Sequence, residues 1–200
     1  MTEICKKGSL TQVLRAAKND PRCAAELTWR VRLTIAAGAT KGMLHLHSQS
    51  PPVIHRDLKS PNLLVDEGWR TKVADFNLSR MMSESGSCAS TGTLTNANPR
   101  WLAPEIMRGA KASVASDLYA MGVVLWELLA LDVPWPREDM LRIMCMVSME
   151  GARPPVPPAE RIPGGSFQGL PGYLALMERC WAQQPEDRPA SFEEVVESLE

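Results

Sequence analysis

The stretch Leu118 to Val133 is the most apolar in the chain, and only Glu127 and Asp132 interrupt it. It is too short and too charged to cross a bilayer, which takes about 20 predominantly apolar residues. A helix that is apolar on all sides belongs inside a protein, so a buried core helix is expected here. The 200 residues of the chain are enough for one domain with a sizeable core around it. Apolar residues make up 44% and charged residues 22%, an ordinary balance for a globular domain. The net charge of −1 argues against a general nucleic-acid binder, which carries a basic excess. The segment Met1 to Leu10 lacks the long apolar core of a signal peptide.

Other elements follow from periodicity and breakers. Leu10 to Lys18 has a helical pattern stopped by Asn19-Asp20-Pro21. A long helix is expected over Ala24 to Ser48, since Leu27, Val31, Ile35, Ala39, Met43 and Leu46 fall at helical spacing before Pro51-Pro52. Val53-Ile54, Leu63-Leu64-Val65 and Lys72-Val73-Ala74 are short extended runs, fit for small ribbons packed on helices. Further helices are expected at Glu105 to Gly109, Asp117 to Leu131, Met140 to Glu150, Leu170 to Gln183 and Ser191 to Glu200. Ser191 with Glu194 fits a capping box at the last of these. Met140, Met144, Met146 and Met149 read as core and groove filler, Trp126 and Trp181 as core, and Arg153 to Pro158 as a rigid Pro-rich connector. The fold class is therefore α+β, mostly α.

Five cysteines, Cys5, Cys23, Cys88, Cys145 and Cys180, are odd in number and form no C-x-x-C pair. A disulfide framework or zinc site is not expected, and a reducing compartment is. His45 and His47 would lie on different faces of a helix, which argues against a metal site there.

The chemistry concentrates in His55-Arg56-Asp57-Leu58-Lys59-Ser60-Pro61-Asn62. Phosphoryl transfer from ATP needs a carboxylate to orient a hydroxyl and take its proton, a cation beside the moving phosphoryl group, and oxygen ligands for Mg²⁺. Asp57, Lys59 and Asn62 provide one of each. A second carboxylate, Asp75, follows Asn62 by thirteen residues across a hairpin-like return that can bring the two together.

This segment resembles the protein-kinase catalytic loop H-R-D-L-x-x-x-N, Asp75-Phe76-Asn77 resembles the D-F-G motif, and Ala103-Pro104-Glu105 matches A-P-E, in the family's order. Asp117 resembles the central-helix Asp that braces the catalytic loop, and Arg188 the Arg that pairs with the A-P-E glutamate, here Glu105. Met1 to Leu10 looks like the hinge between kinase lobes. The resemblance therefore implies one partial kinase domain over residues 1–200: a hinge remnant at 1–9, the C-lobe at 10–200 and an activation segment at 75–105. It implies Thr2 as gatekeeper, Glu3 and Cys5 along the adenine edge, and Leu64 beneath the ring. Asp57 and Lys59 would be catalytic, with Lys59 also touching ATP, and Asn62 and Asp75 would hold ATP and Mg²⁺. Gly8-Ser9-Leu10, Leu44-His45-Leu46-His47-Ser48, Lys59-Ser60-Pro61-Asn62 and Cys180-Trp181 are similar to the tyrosine-kinase-like group, Raf-like and mixed-lineage kinases included. Lys59, two residues after Asp57, points to serine/threonine specificity. The implied function is a cytoplasmic serine/threonine kinase in signal transduction, with ATP and a protein substrate as partners, and no nucleic acid or membrane span in this chain.

Three departures stand against the pattern. No Gly-rich loop, strand lysine or partnering helix glutamate precedes the hinge, so the isolated chain is expected to have little or no activity; the alternative reading is an inactive half-kinase that acts as a binding or scaffold module. Asn77 replaces the motif's Gly, a substitution that Asn tolerates best among non-glycine residues. Asn98 stands where the family usually has Thr. Ser83, Ser85, Ser87, Ser90, Thr91, Thr93 and Thr95 are phosphorylation candidates, with Arg56 as the cation for an added phosphate.

Overall fold

The central apolar helix forms over Val114–Ala130, three residues earlier than periodicity alone predicts. Ser113 and Ser116 exchange side-chain and backbone hydrogen bonds at its start. It ends at Leu131, whose φ of 50° is left-handed. Every residue from Ser116 to Leu129 is buried, so the helix has no solvent face. This is the burial that its all-round apolar sequence requires.

The structure is a computed structural model and describes residues 5–76, 79–81, 98–165 and 167–199. In chain order the helices are α1 (Leu10–Asn19), α2 (Pro21–Glu26), α3 (Trp29–His47), α4 (Pro104–Met107), α5 (Val114–Ala130), α6 (Met140–Ser148), α7 (Leu170–Cys180) and α8 (Phe192–Leu199). The strands are β1 (Gly8–Ser9), β2 (Val53–Ile54), β3 (Leu63–Val65), β4 (Thr71–Val73) and β5 (Arg80–Met81). One antiparallel sheet has the order β1-β3-β4, and β2 pairs with β5 in a second. The architecture is α+β and mostly α. Among the described residues no helix is long and apolar enough to cross a membrane.

Helix α5 packs against α3 and α7, and α3 in turn carries α8 and β4. At Gly122 the α7 C-terminus comes so close that a Cβ would sit 2.8 Å from the Trp181 backbone nitrogen. At Gly42 a Cβ would meet Val73 Cγ2 at 2.7 Å, so the bare backbone lets the β3–β4 hairpin lie on α3. That hairpin carries the segment leading to Asp75.

Several expectations are corrected. The long helix read over Ala24 to Ser48 is two helices. Asp20 caps α2 through Arg22 N with Pro21 in its first turn, and Thr28 caps α3 by accepting from Val31 N. The buried Leu27 sits at the break with φ −81° and ψ 54°. Strand β4 runs one residue earlier than Lys72–Ala74: Ala74 N–H still donates to Asn62 O, but Asn62 belongs to the 3₁₀ turn Ser60–Asn62, so the strand pairing ends at Leu63 opposite Val73. The capping box at Ser191 is half formed: Glu194 N donates to Ser191 Oγ, while the Glu194 carboxylate accepts from Ala190 N and pairs with Arg179. Met140, at the start of α6, and Met149, its C-cap, are exposed; Ile143 and Val147, one turn apart, take the buried face, and Met144 and Met146 pack beside it. Trp126 and Trp181 are buried as expected, and Trp126 Nε1 donates to Pro155 O, pinning the Pro-rich connector to α5.

Candidate active site

Asp117 lies in the first turn of α5 and is 2% exposed. Its Oδ2 accepts His55 N–H at 2.8 Å and its Oδ1 accepts Arg56 N–H at 2.9 Å. His47, at the end of α3, donates from Nε2 to the same carboxylate at 2.9 Å, while His45 is exposed on another face. The carboxylate thus holds the start of the His55–Asn62 loop by its backbone, where Arg56 adopts a φ of 71°. Left-handed conformations are uncommon for non-glycine residues and persist where the surroundings over-determine them.

His55 is fully buried, and its role is structural. Its Nδ1 accepts Asp57 N–H at 3.3 Å, which leaves Nε2 as the donor to Ala74 O at 3.2 Å. The imidazole thereby ties the residue before Asp75 to the loop that carries Asp57. The Phe76 ring packs edge-on against it at 5.5 Å between centroids.

Beyond this anchor the polar groups converge. Lys59 Nζ lies 2.9 and 2.7 Å from the two oxygens of Asp57. Asn62 Nδ2 donates to Asp57 O and Asp57 Oδ2, each at 2.9 Å. The 3₁₀ turn Ser60–Asn62 and strand β3 set this geometry: Asn62 N–H donates to Lys59 O, and Asn62 O accepts Ala74 N–H. The hairpin register, Leu63 opposite Val73, delivers the backbone of Asp75 beside Asn62. Asp75 itself is exposed, with a φ of 63°.

On the other side, Lys7 N–H donates to Val65 O and Ser9 lies opposite Leu64, so the segment after Cys5 runs along the strand that bears Leu64. Cys5 and Leu64 are both half-buried. Thr2, Glu3, Asn77 and the phosphorylation candidates Ser83 to Thr95 lie outside the described residues. Asn98 caps its own turn, its Oδ1 accepting Arg100 N–H at 3.2 Å, and lines a cavity beside Asp57 with Arg56, Trp101 and Ala120. Arg100 fixes the segment before Ala103-Pro104-Glu105 by donating to the Pro134, Trp135 and Glu138 carbonyls.

Glu105 and Arg188 form the two-pronged pair that the resemblance implied, at 2.7 and 2.8 Å. The sequence reading did not find the role of Glu127. It interrupts the apolar run, and the structure places its carboxylate, fully buried, between Ser60 and Trp101. The signal was present: a carboxylate inside the most apolar helix must have partners.

The family model for protein tyrosine and serine/threonine kinases matches residues 1–199. The chain is 37% identical over 202 residues to serine/threonine-protein kinase CTR1 of Arabidopsis thaliana, covering all of this chain and 22% of that protein. It is 38% identical over 199 residues to the probable serine/threonine-protein kinase SIS8 of Arabidopsis thaliana, with all of this chain and 18% of that protein covered. To the probable serine/threonine-protein kinase drkA of Dictyostelium discoideum it is 35% identical over 199 residues, again over its whole length and 28% of the relative. The chain therefore spans less than a third of the length of each of these relatives. With the three motifs in order and the family match running over residues 1–199, the chain belongs to the protein tyrosine and serine/threonine kinase family.

Proposed function

We propose that this chain carries the catalytic centre of a serine/threonine kinase that transfers the γ-phosphoryl group of ATP to a protein hydroxyl. The observation that carries the reading is the mutual contact of Asp57, Lys59 and Asn62 beside the backbone of Asp75. The domain reading goes with it: residues 1–9 as hinge, 10–200 as C-lobe and 75–105 as activation segment.

Asn62 and Asp75 suit Mg²⁺. Both amide hydrogens of Asn62 are directed at Asp57, so the side chain's remaining polar atom is an oxygen, and Asp75 adds a carboxylate. Hard oxygen donors are what Mg²⁺ takes, with substrate phosphates completing its shell. Bound Mg-ATP supplies the phosphoryl group and the cation that offsets its charge. Asp57 orients the substrate hydroxyl and accepts its proton as the oxygen–phosphorus bond forms and ADP leaves. Lys59, held against Asp57, offers its ammonium to the γ-phosphate. Cys5, Leu64 and Glu3 are assigned to the adenine. Burial of the hydroxyl partner's positioning groups matters because positioning and electrostatics account for most of the rate in this reaction.

Serine/threonine specificity is supported by Lys59 and by the names of the relatives. A reducing, cytoplasmic setting fits the free thiols of Cys5, Cys23, Cys145 and Cys180. The catalytic-loop geometry offers no support to the rival reading of a non-catalytic binding module. Thermal unfolding with and without Mg-ATP tests the proposal. A ligand at a hundred times its dissociation constant stabilises by about 2.7 kcal/mol. The expected result is an upward shift that disappears in Asp75→Ala. No shift in the parent chain, or an equal one in Asp75→Ala, overturns the assignment.

A further inference from the structure

Glu127 sits in the middle of α5, fully buried, and is used by none of the steps above. Its Oε1 is 2.6 Å from Ser60 Oγ and its Oε2 accepts Trp101 Nε1–H at 2.8 Å. Ser60 Oγ lies 2.7 Å from Thr11 Oγ1 of α1. One carboxyl therefore connects three pieces of the site. These are the helix after the hinge, the turn between Lys59 and Asn62, and the end of the activation segment that adjoins Asp57 through the cavity lined by Trp101. Ser60 and Trp101 are 67 and 26 residues away in sequence.

We propose that Glu127 is a positioning residue of the phosphotransfer site: it fixes the Ser60–Asn62 turn relative to Trp101, and one proton on its carboxyl sets the direction of the Thr11–Ser60–Glu127 hydroxyl relay. The positioning role rests on the kinase reading; the relay does not.

The relay follows from hydrogen-bond inventory. An ionised carboxylate only accepts, so Ser60 donates to Glu127 and receives from Thr11. A neutral carboxyl has one O–H to give. It donates to Ser60, which then donates to Thr11, while the other oxygen still accepts from Trp101, whose indole can only donate. In both states the Thr11–Ser60, Ser60–Glu127 and Trp101–Glu127 contacts each keep a donor and an acceptor, so the proton can come and go without breaking them. The groups facing the carboxyl are the Ser60 hydroxyl and N–H from the catalytic turn and the Trp101 indole from the activation segment, with the Thr11 hydroxyl from α1 behind Ser60. Among the described residues no charged side chain contributes to its titration. Burial pushes the carboxyl up to about 8, against the downward pull of Ser60 and Trp101.

The test uses the 200-residue chain labelled with ¹⁵N at its indoles, the Trp101 resonance being assigned by Trp101→Phe. The Trp101 indole N–H is expected to titrate with a midpoint near 8 and to be flat in Glu127→Gln, which keeps a donor and an acceptor in place of the neutral acid. In Ser60→Ala, which removes a bond that favours the charged form, the midpoint should rise. A flat wild-type resonance between pH 6 and 9.5, or an unchanged midpoint in Ser60→Ala, overturns the relay. The positioning role is read by Mg-ATP affinity: on the order of tenfold weaker, or about 1.4 kcal/mol, in a folded Glu127→Leu, and restored in Glu127→Gln. Wild-type affinity in Glu127→Leu makes the residue merely structural and overturns that role. Absence of Mg-ATP binding by the wild type overturns the kinase reading and the positioning role with it, and the indole titration still decides the relay.

Discussion

Removing Glu105 should destabilise this domain more than the loss of an ordinary ion pair would. Arg188 has a side chain with no exposed surface, and Glu105 is 15% exposed. A guanidinium has five N–H donors, and all of them are engaged. Two go to Glu105, and the others to the carbonyls of Ala182, Ala115 and Gln183. Glu105→Ala leaves the buried cation with two unmet donors and no counter-charge, a change that costs roughly 3–5 kcal/mol. Against a total stability of about 5–15 kcal/mol, that is a large share. For a domain of this size it corresponds to a fall of roughly 6–20 °C in melting temperature. Urea denaturation followed by circular dichroism reads the free energy directly. The double variant Glu105→Leu/Arg188→Met should recover part of the loss, because a pair replaced by apolar groups leaves no uncompensated charge. It should stay below the parent chain, since three carbonyls lose their donor. A Glu105→Ala cost under about 1 kcal/mol, or strict additivity of the two single variants in the cycle, would refute the reasoning.

Three other outcomes are expected. Gly122→Ala gains up to about 1 kcal/mol of helix propensity but drives a methyl into the Trp181 backbone. Overpacking of about 1–3 kcal/mol should win, and a midpoint that rises in urea would contradict the close α5–α7 approach. Asp117→Asn leaves one oxygen for two backbone donors, His55 and Arg56. A loss of about 1–3 kcal/mol, with faster amide exchange at those two positions, is the expected result, and unchanged exchange would count against the brace. Glu127 makes stability depend on pH. Its carboxyl moves from the ordinary 4.5 to about 8 on folding, so between those values the folded chain binds more protons than the unfolded one. Its contribution is complete below about pH 4.5 and lost as pH rises through about 8. At ~1.4 kcal/mol per pH unit the whole effect is roughly 5 kcal/mol. Melting temperatures of the parent chain and Glu127→Gln should therefore diverge from pH 5 to pH 8 in favour of the Gln variant. Parallel curves would show that the buried carboxyl does not hold its proton.

The proposed catalytic loop was legible because its chemistry is local. Asp57, Lys59 and Asn62 fall within six residues, and a 3₁₀ turn over Ser60–Asn62 needs no distant partner to bring them together. The approach of Asp75 was also readable, since two short strands and an Asp66-Glu67-Gly68 turn define a hairpin. The Asp117 and Arg188 contacts came from resemblance; composition and periodicity alone gave neither. The burial of the central helix was written in its long apolar run, which Glu127 alone interrupts between Leu118 and Ala130.

Tertiary structure decided what periodicity could not. The apolar spacing begins only at Leu27, at the break itself, so it does not show where α2 stops; the C-cap of α2 at Leu27 and the N-cap of α3 at Thr28 divide the segment. Met140 and Met149 stand at the two ends of α6 and are exposed, because Ile143 and Val147 fill the buried stripe between them. Glu127 is the plainest case. A lone carboxylate in an apolar run signals that partners must exist. Those partners, Ser60 and Trp101, come from segments far away in the chain, and only packing could bring a hydroxyl and an indole to one buried carboxyl.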